Sequence, residues 1–341
     1  MYVWIIILPL FYITRNIMQA IVCTAYGGPQ VLQIKEVDKP VPEANQILVR
    51  VKAASVTTAD TFMRKGSPLI GRLFMGLIRP KYAITGTGFA GVVEAVGAEV
   101  RKFQIGDQVF GESIFGQGSH AEYLCIDEGG VVAKKPANIS FSEAAPVCDG
   151  ALTSLNFLQG VGNLQAGQRV LINGAAGSLG SAAVQLAKYM GAHVTGTCSA
   201  TNHPWVKALG ADRVIDYQQQ NLYQLEQRFD LIYDTVGKLQ FAPSRALLSE
   251  QGMFMSPVGS LSLFVAVLTS AIFGNKKARF SATGILPVAY LRALLQQLVP
   301  LLQKGILNTV IDRRYALAEV VAAHAYADQQ HKKGNLVVCQ S

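Results

Sequence analysis

Val170-Leu171-Ile172-Asn173 runs directly into Gly174-Ala175-Ala176-Gly177-Ser178-Leu179-Gly180 and on into Ser181-Ala182-Ala183-Val184-Gln185-Leu186-Ala187-Lys188. An apolar β-type run, a glycine-rich turn and a helix-forming stretch, in that order, build a phosphate cradle of the dinucleotide-binding kind. Gly177 lets backbone approach a pyrophosphate, and Gly180 lets the helix pack close to the strand. The open amides of the helix N-terminus then face negative charge. Leu179, Ala183, Leu186, Ala187 and Met190 share one helix face, and Gly191 stands where a helix closes. Gly174, Ala175, Ala176, Gly177, Ser178, Leu179 and Gly180 are therefore the expected cofactor loop. A glycine-rich turn in a non-binding α/β domain is the competing reading.

Outward from this turn, strand-like segments alternate with helical ones, which calls for a parallel sheet. The expected strands are Arg169–Asn173, His193–Cys198, Arg213–Asp216, Leu231–Asp234 and Gly252–Ser256. Upstream, from Ala20 to about Ser140, short β-rich runs lie between turns such as Gly27-Gly28-Pro29 and Gly116-Gln117-Gly118, the pattern of a small barrel. Downstream, an amphipathic helix from Leu286 to Lys304 precedes strands at Ile311–Tyr315 and Asn335–Val338. The fold class is α/β: a Rossmann-type doubly wound parallel sheet domain plus a β-barrel domain. The expected divisions are an apolar extension at 1–17, the barrel at 18–141, the dinucleotide-binding domain at 142–285 and a returning segment at 286–341.

The chain has 341 residues, half of them apolar and 15% charged, which excludes disorder and allows two domains. A formal net charge of +8 suits an anionic ligand such as NADPH. The basic residues are scattered and no nucleic-acid motif accompanies them, so no nucleic-acid partner is expected. Cys23, Cys125, Cys148, Cys198 and Cys339 are far apart and include no CxxC pair. Neither a structural zinc lobe nor a redox dithiol is written here, and a reducing cytoplasmic location is expected. Residues 2–13 are apolar but too few to span a bilayer, and Met18 opens a domain-like stretch. Residues 251–275 carry no charge, yet Pro257, Gly259 and four serines interrupt them. Burial at a pocket wall or subunit contact is expected there rather than a membrane span.

In dinucleotide folds that prefer NAD, a carboxylate about 20 residues beyond the glycine turn grips the ribose hydroxyls. Here that place is Thr197-Cys198-Ser199-Ala200-Thr201-Asn202, with no carboxylate to repel a 2′-phosphate. Ser199 and Asn202 can donate to it, and Tyr217 or Lys207 can reach it from neighbouring elements. NADPH is expected over NADH. As purely structural roles, Asn202 would cap a helix and Ser199 would serve a turn.

Several ordered motifs match one family. They are Ala53-Ala54-Ser55-Val56-Thr57-Thr58-Ala59-Asp60, Gly86-Thr87-Gly88-Phe89-Ala90-Gly91, Gly106-Asp107-Gln108-Val109-Phe110-Gly111, Gly150-Ala151-Leu152-Thr153, Leu209-Gly210-Ala211-Asp212, Asp234-Thr235-Val236-Gly237 and His331-Lys332-Lys333-Gly334-Asn335. From Met18 to Val338 the chain resembles the medium-chain dehydrogenase/reductase superfamily, in its zinc-independent, quinone oxidoreductase-like branch. The resemblance implies a GroES-like barrel as the catalytic domain. In the zinc alcohol dehydrogenases of that superfamily, Thr57 would be a ligand cysteine, and Thr87 would be the histidine of a Gly-His-Glu motif. With two ligands missing, no zinc is expected.

The resemblance further implies hydride transfer to a quinone or α,β-unsaturated carbonyl, a small apolar substrate. Thr57, where relatives commonly carry asparagine, is the candidate hydroxyl near the substrate carbonyl. Asp60 matches a frequent family aspartate and equally fits a helix cap. Thr153 is expected at the nicotinamide or pyrophosphate, and Lys333, Gly334 and Asn335 at the cofactor from the barrel side. Tyr26, Arg64, His120 and Tyr123 are further possible substrate contacts. A homodimer is implied. The alternatives are an alcohol or ketone oxidoreductase of the same superfamily, and a nucleotide-binding structural or membrane-associated protein with little turnover.

Overall fold

The computed structural model describes residues 16–67, 69–113, 116–329 and 332–340. The apolar run 2–13 and His331 lie outside them. The N-terminal half is antiparallel. Strands β1 (Ile17–Cys23) and β2 (Leu32–Asp38) form a two-stranded ribbon. Strands β3 (Gln46–Val56), β4 (Gly88–Val96), β5 (Gln108–Glu112), β6 (Tyr123–Asp127) and β7 (Val131–Lys134) pair around a separate core. In β3 alternation shows from Val49 to Ala53, where Val49, Val51 and Ala53 are buried and Arg50 is exposed, while Ile47 and Leu48 are both buried. The small residues Ala53 and Ala54 then let neighbouring elements close over the strand's far end.

The second half is built on β8 (Arg169–Asn173), β9 (His193–Cys198), β10 (Arg213–Asp216), β11 (Phe229–Asp234), β12 (Leu248–Ser256) and β13 (Lys277–Phe280). All are parallel, in the order β10-β9-β8-β11-β12-β13. Val170, Leu171 and Ile172 are all fully buried, as a strand covered on both faces requires. Strand order reverses between β8 and β11, so the crevice where ligands bind opens at the carboxyl end of β8. The chain then returns: β14 (Ile311–Ala316) and β15 (Asn335–Cys339) join the barrel sheet, with β15 antiparallel to β3. The helix Val288–Gln303 packs Leu291, Leu294, Leu295 and Leu298 into a core that also contains Val131 and Ala133 of the barrel. One continuous apolar core therefore fixes the two halves against each other.

The uncharged stretch does not form a pocket wall within one chain, which leaves the other expected setting, a subunit contact. It folds into the helix Leu261–Ile272, capped by Ser260, which buries Leu263, Ala266 and Ser270 and leaves Leu261, Val265, Leu268 and Ile272 exposed. Within one chain this stretch is not the buried wall expected from its composition, because only one face of the helix meets the sheet. Among the described residues no helix is long and apolar enough to cross a membrane.

Candidate active site

Three glycines of the turn after β8 are required for different reasons. Gly174 has φ +81°, and a Cβ there would sit 2.3 Å from Val236 Cγ2. A Cβ on Gly180 would sit 2.1 Å from the Gly174 carbonyl oxygen. Gly177 differs: its φ is −82°, and an added Cβ would meet nothing nearer than 3.5 Å. The fold alone would accept a side chain at 177. A ligand lying against the backbone there would not, and this is the fit a pyrophosphate needs. The helix Ser178–Tyr189 starts at this point with no side-chain cap and no acidic residue in its first turn, so its amides are available to an anion.

A buried network holds the turn in shape. Thr197 Oγ1 donates to Asn173 Oδ1 at 2.6 Å, Asn173 Nδ2 donates to Asp234 Oδ1 at 2.8 Å, and Thr235 Oγ1 donates to the Asn173 carbonyl at 2.7 Å. The C-terminal segment closes over it, with the Gly334 amide donating to the Ala176 carbonyl at 2.8 Å. The Ser178 hydroxyl lies 2.9 Å from Asp149 Oδ2 and 2.5 Å from Asn335 Oδ1. Ala175 and Ala176 are buried and Leu179 is half-buried.

At the end of β9 the polar residues converge as well. Asn202 Nδ2 donates to Ser199 Oγ at 3.0 Å, and Trp205 Nε1 donates to Asn202 Oδ1 at 3.1 Å. Asn202 therefore does not cap the helix His203–Ala208, which has no side-chain cap. Lys333 Nζ lies 5.0 Å from the centre of the Trp205 ring, bringing a cation from the returning segment to this corner. Tyr217 is exposed just beyond β10, whose last residue Asp216 pairs with Cys198. Thr153 is half-buried between two π-helical turns, Cys148–Leu152 and Asn156–Val161.

On the barrel side, Thr57 and Asp60 form a capping box at the start of the helix Thr58–Lys65. The Thr57 hydroxyl donates to Asp60 Oδ2 at 2.8 Å, the Thr57 amide donates to the same oxygen at 2.8 Å, and the Asp60 amide returns a bond to Thr57 Oγ1. Both residues are 1% exposed. Asp60 also lines a pocket with Met63, Met75, Pro80, Ile84 and Gly86, enclosing about 500 Å³ including its open mouth. Burial pushes the Asp60 carboxyl up to about 7, against the opposing bonds from Thr57, with Asp149 raising it and Lys332 lowering it. Glu112, at the end of β5, is pushed up to about 8 by burial and then by Asp149 and Asp60. Burial also depresses the Lys332 ammonium.

The other possible substrate contacts are tied elsewhere. His120 Nε2 lies 2.9 Å from the Ser55 carbonyl, so it must donate, and Nδ1 accepts from Thr85 Oγ1. Burial holds this ring at about 4, neutral at physiological pH. Arg64 lines the pocket, but its guanidinium is bonded to Asp328 and the Gly27 carbonyl. Tyr26 donates to the Gly76 carbonyl, and the Tyr123 ring lies under Lys39. Asp149, Glu112, Lys332 and Trp205 were not singled out in the sequence. Asp149 and Lys332 adjoin or lie within quoted motifs and Trp205 follows Asn202 by three residues, whereas nothing local marks Glu112.

Residues 43–137 match the alcohol dehydrogenase GroES-like domain, and residues 209–338 match a family described as zinc-binding dehydrogenase. The chain is 30% identical, over 95% of its own length and 98% of the relative's, to a chloroplast envelope quinone oxidoreductase homologue of Arabidopsis thaliana. It is 32% identical to a 2-methylene-furan-3-one reductase of Solanum lycopersicum, over 94% of this chain and 79% of that one. The quinone oxidoreductase of Coxiella burnetii superposes with a TM-score of 0.82 at 30% identity, covering 95% and 99% of the two chains.

The chain belongs to the medium-chain dehydrogenase/reductase superfamily, in its quinone oxidoreductase-like branch.

As a member of that branch it is an NAD(P)H-dependent oxidoreductase. The Escherichia coli quinone oxidoreductase, solved with NADPH, superposes with a TM-score of 0.80 at 25% identity, covering 94% of this chain and 99% of that one. Despite the name of the second family model, among the described residues no three His, Cys, Asp or Glu side chains are grouped to hold a metal ion.

Proposed function

We propose that this member of the branch is an NADPH-dependent, zinc-independent reductase of quinones or α,β-unsaturated carbonyls. The observation that carries the reading is the meeting of two sites. The glycine turn begins its helix at Ser178, whose hydroxyl contacts Asp149, and the charge of Asp149 in turn raises the carboxyl of Asp60, which lines an apolar pocket. Bound there, NADPH would supply hydride from its nicotinamide ring. The residues of the turn and of 332–335 would hold it, Thr153 would flank it, and the Met- and Ile-lined pocket would take a flat apolar acceptor and exclude water. Neutral hydroxyls at Thr57 and Thr87 are poor substitutes for the thiolate and imidazole a catalytic zinc requires. Conjugate reduction has no need of a Lewis acid, because hydrogen-bond donors suffice for the developing enolate. NADPH oxidation with a panel of quinones, enals, enones and simple ketones tests the reading. Turnover confined to the conjugated acceptors supports it, and turnover of simple ketones alone overturns it.

NADPH preference rests on Ser199, Asn202, Tyr217 and above all Lys333, a cation at a corner where the sequence offers no arginine. Removing one charge-assisted phosphate contact costs about 1.5–3 kcal/mol. Lys333→Ala is therefore expected to raise KM for NADPH roughly tenfold or more while leaving KM for NADH nearly unchanged. An equal rise for both cofactors would show that Lys333 does not read the 2′-phosphate.

For the assembly, the occupant of the exposed helix face is a second copy of this chain. Leu261, Val265, Leu268 and Ile272 form a stripe beside β13, the terminal strand of its sheet, so one dimer contact would cover both the stripe and the free edge. Light scattering should give twice the chain mass of 36.7 kDa. A monomer at micromolar concentration contradicts this. All five cysteines are free, which fits residence in the reducing cytoplasm, and cell fractionation tests that placement.

A further inference from the structure

Reducing a conjugated double bond takes a proton as well as a hydride. Asp60 Oδ2 accepts two bonds from Thr57, but Oδ1 is buried without a hydrogen-bond partner, in a residue that lines the apolar pocket. If Asp60 is protonated, the proton belongs on that oxygen, because Oδ2 is already engaged as an acceptor. The groups facing Asp60 come from every neighbouring element. Glu112 stands at the end of β5, Asp149 on the π-helical turn beside Cys148, and Lys332 on the returning segment, which Asp312 also faces. Arg64, on Asp60's own helix, is neutralised by Asp328. The negative charge of Asp149 opposes ionisation of the buried Asp60 carboxyl more than the Lys332 ammonium favours it.

We propose that Asp60 carries a proton on Oδ1 and donates it to the substrate carbonyl oxygen, with Asp149 as the positioning residue whose charge keeps it protonated. This rests on the reductase reading above. The β-carbon receives hydride with its two electrons from the reduced nicotinamide, which is thereby oxidised, and a new C–H bond forms. The π electrons of the double bond shift toward the carbonyl oxygen. That oxygen takes the Asp60 proton, leaving a carboxylate that regains a proton from water. The enol so formed returns to the saturated ketone. Raised proton affinity at both Asp60 and Glu112, caused first by burial, agrees with this storage. The acid must be protonated to act, so the rate should fall as pH rises through about 7 to 8. The two steps belong to the coupled group rather than to single residues.

Two readouts test the proposal, one of them independent of substrate. Infrared difference spectra between pH 5.5 and 9 should show a protonated-carboxyl band in the native chain, diminished in Asp60→Asn. Its absence in the native chain, or its persistence unchanged in Asp60→Asn, overturns the stored proton whatever the substrate proves to be. With an accepted enone, Asp60→Asn should lower kcat about 10²–10⁴-fold with NADPH affinity kept, which also shows that the variant is folded. Asp149→Asn should move the alkaline limb of kcat to lower pH, because it removes a charge that raises Asp60. A native-like kcat in Asp60→Asn, or an unmoved limb in Asp149→Asn, overturns the donor assignment. If no conjugated acceptor is turned over while the carboxyl band behaves as expected, the reductase reading fails and the buried proton stands.

Discussion

Gly177→Val is expected to leave the protein folded and to weaken NADPH binding about 100-fold, or roughly 3 kcal/mol. The reason is the contrast within the turn. The protein itself offers no atom nearer than 3.5 Å to a Cβ at 177, and the backbone there is extended with φ −82°, so a side chain can leave the backbone without a clash at its first carbon. It would fill the space over the helix N-terminus where the pyrophosphate must approach the amides. Circular dichroism and the melting temperature should match the parent, while titration of nicotinamide fluorescence shows the loss. Unchanged affinity in Gly177→Val would mean that the phosphates lie elsewhere.

The neighbouring substitution is expected to fail in the opposite way. Gly180→Ala places a methyl 2.1 Å from the Gly174 carbonyl oxygen and 2.7 Å from Ala175 Cα, both of them backbone atoms that cannot rotate aside. The helix Ser178–Tyr189 must then lift off β8, disturbing a core that includes Ala175, Ala183, Leu186 and Ile172. A cost of about 3 kcal/mol or more follows, lowering the melting temperature by about 4 °C or more in a chain of this length. A melting temperature within a degree of the parent would show that the turn adapts and that close helix–strand packing is not the reason for this glycine.

These two glycines also show what the chain discloses before folding. Strands β8, β9 and β10 were readable to the residue, because each is a short run centred on β-branched residues, with Asn173 and Gly174 closing β8 and Ser199 closing β9. The helix Leu261–Ile272 and the strand Lys277–Phe280 were not, because apolar residues occupy nearly every side of that helix and leave no periodic polar face. The π-helical turns flanking Thr153 change the hydrogen-bond register without changing side-chain pattern, so nothing in the letters marks them. In the site, the glycine turn was legible because its chemistry is local. Asp60 was legible as a helix cap, but the structure makes Thr57 the cap and Asp60 the third helical residue bonded back to it, which the letters did not show. Glu112, Asp149 and Lys332 lie on three separate elements, and only the closing of the barrel against the parallel sheet brings their charges together. Lys333 was expected at the cofactor, whereas its partner Trp205 emerged from the crossing of the returning segment over the helix His203–Ala208.

The central claim is that hydride passes directly from a nicotinamide held on the turn after β8 to a conjugated carbon in the pocket beside Asp60. Turnover of an enone with NADPH deuterated at the nicotinamide C4 position, followed by NMR of the product, tests this most directly. The account predicts one deuterium on the carbon β to the carbonyl. Deuterium on the carbonyl carbon, giving an allylic alcohol, would contradict it, as would a reduced product carrying no deuterium from either C4 face.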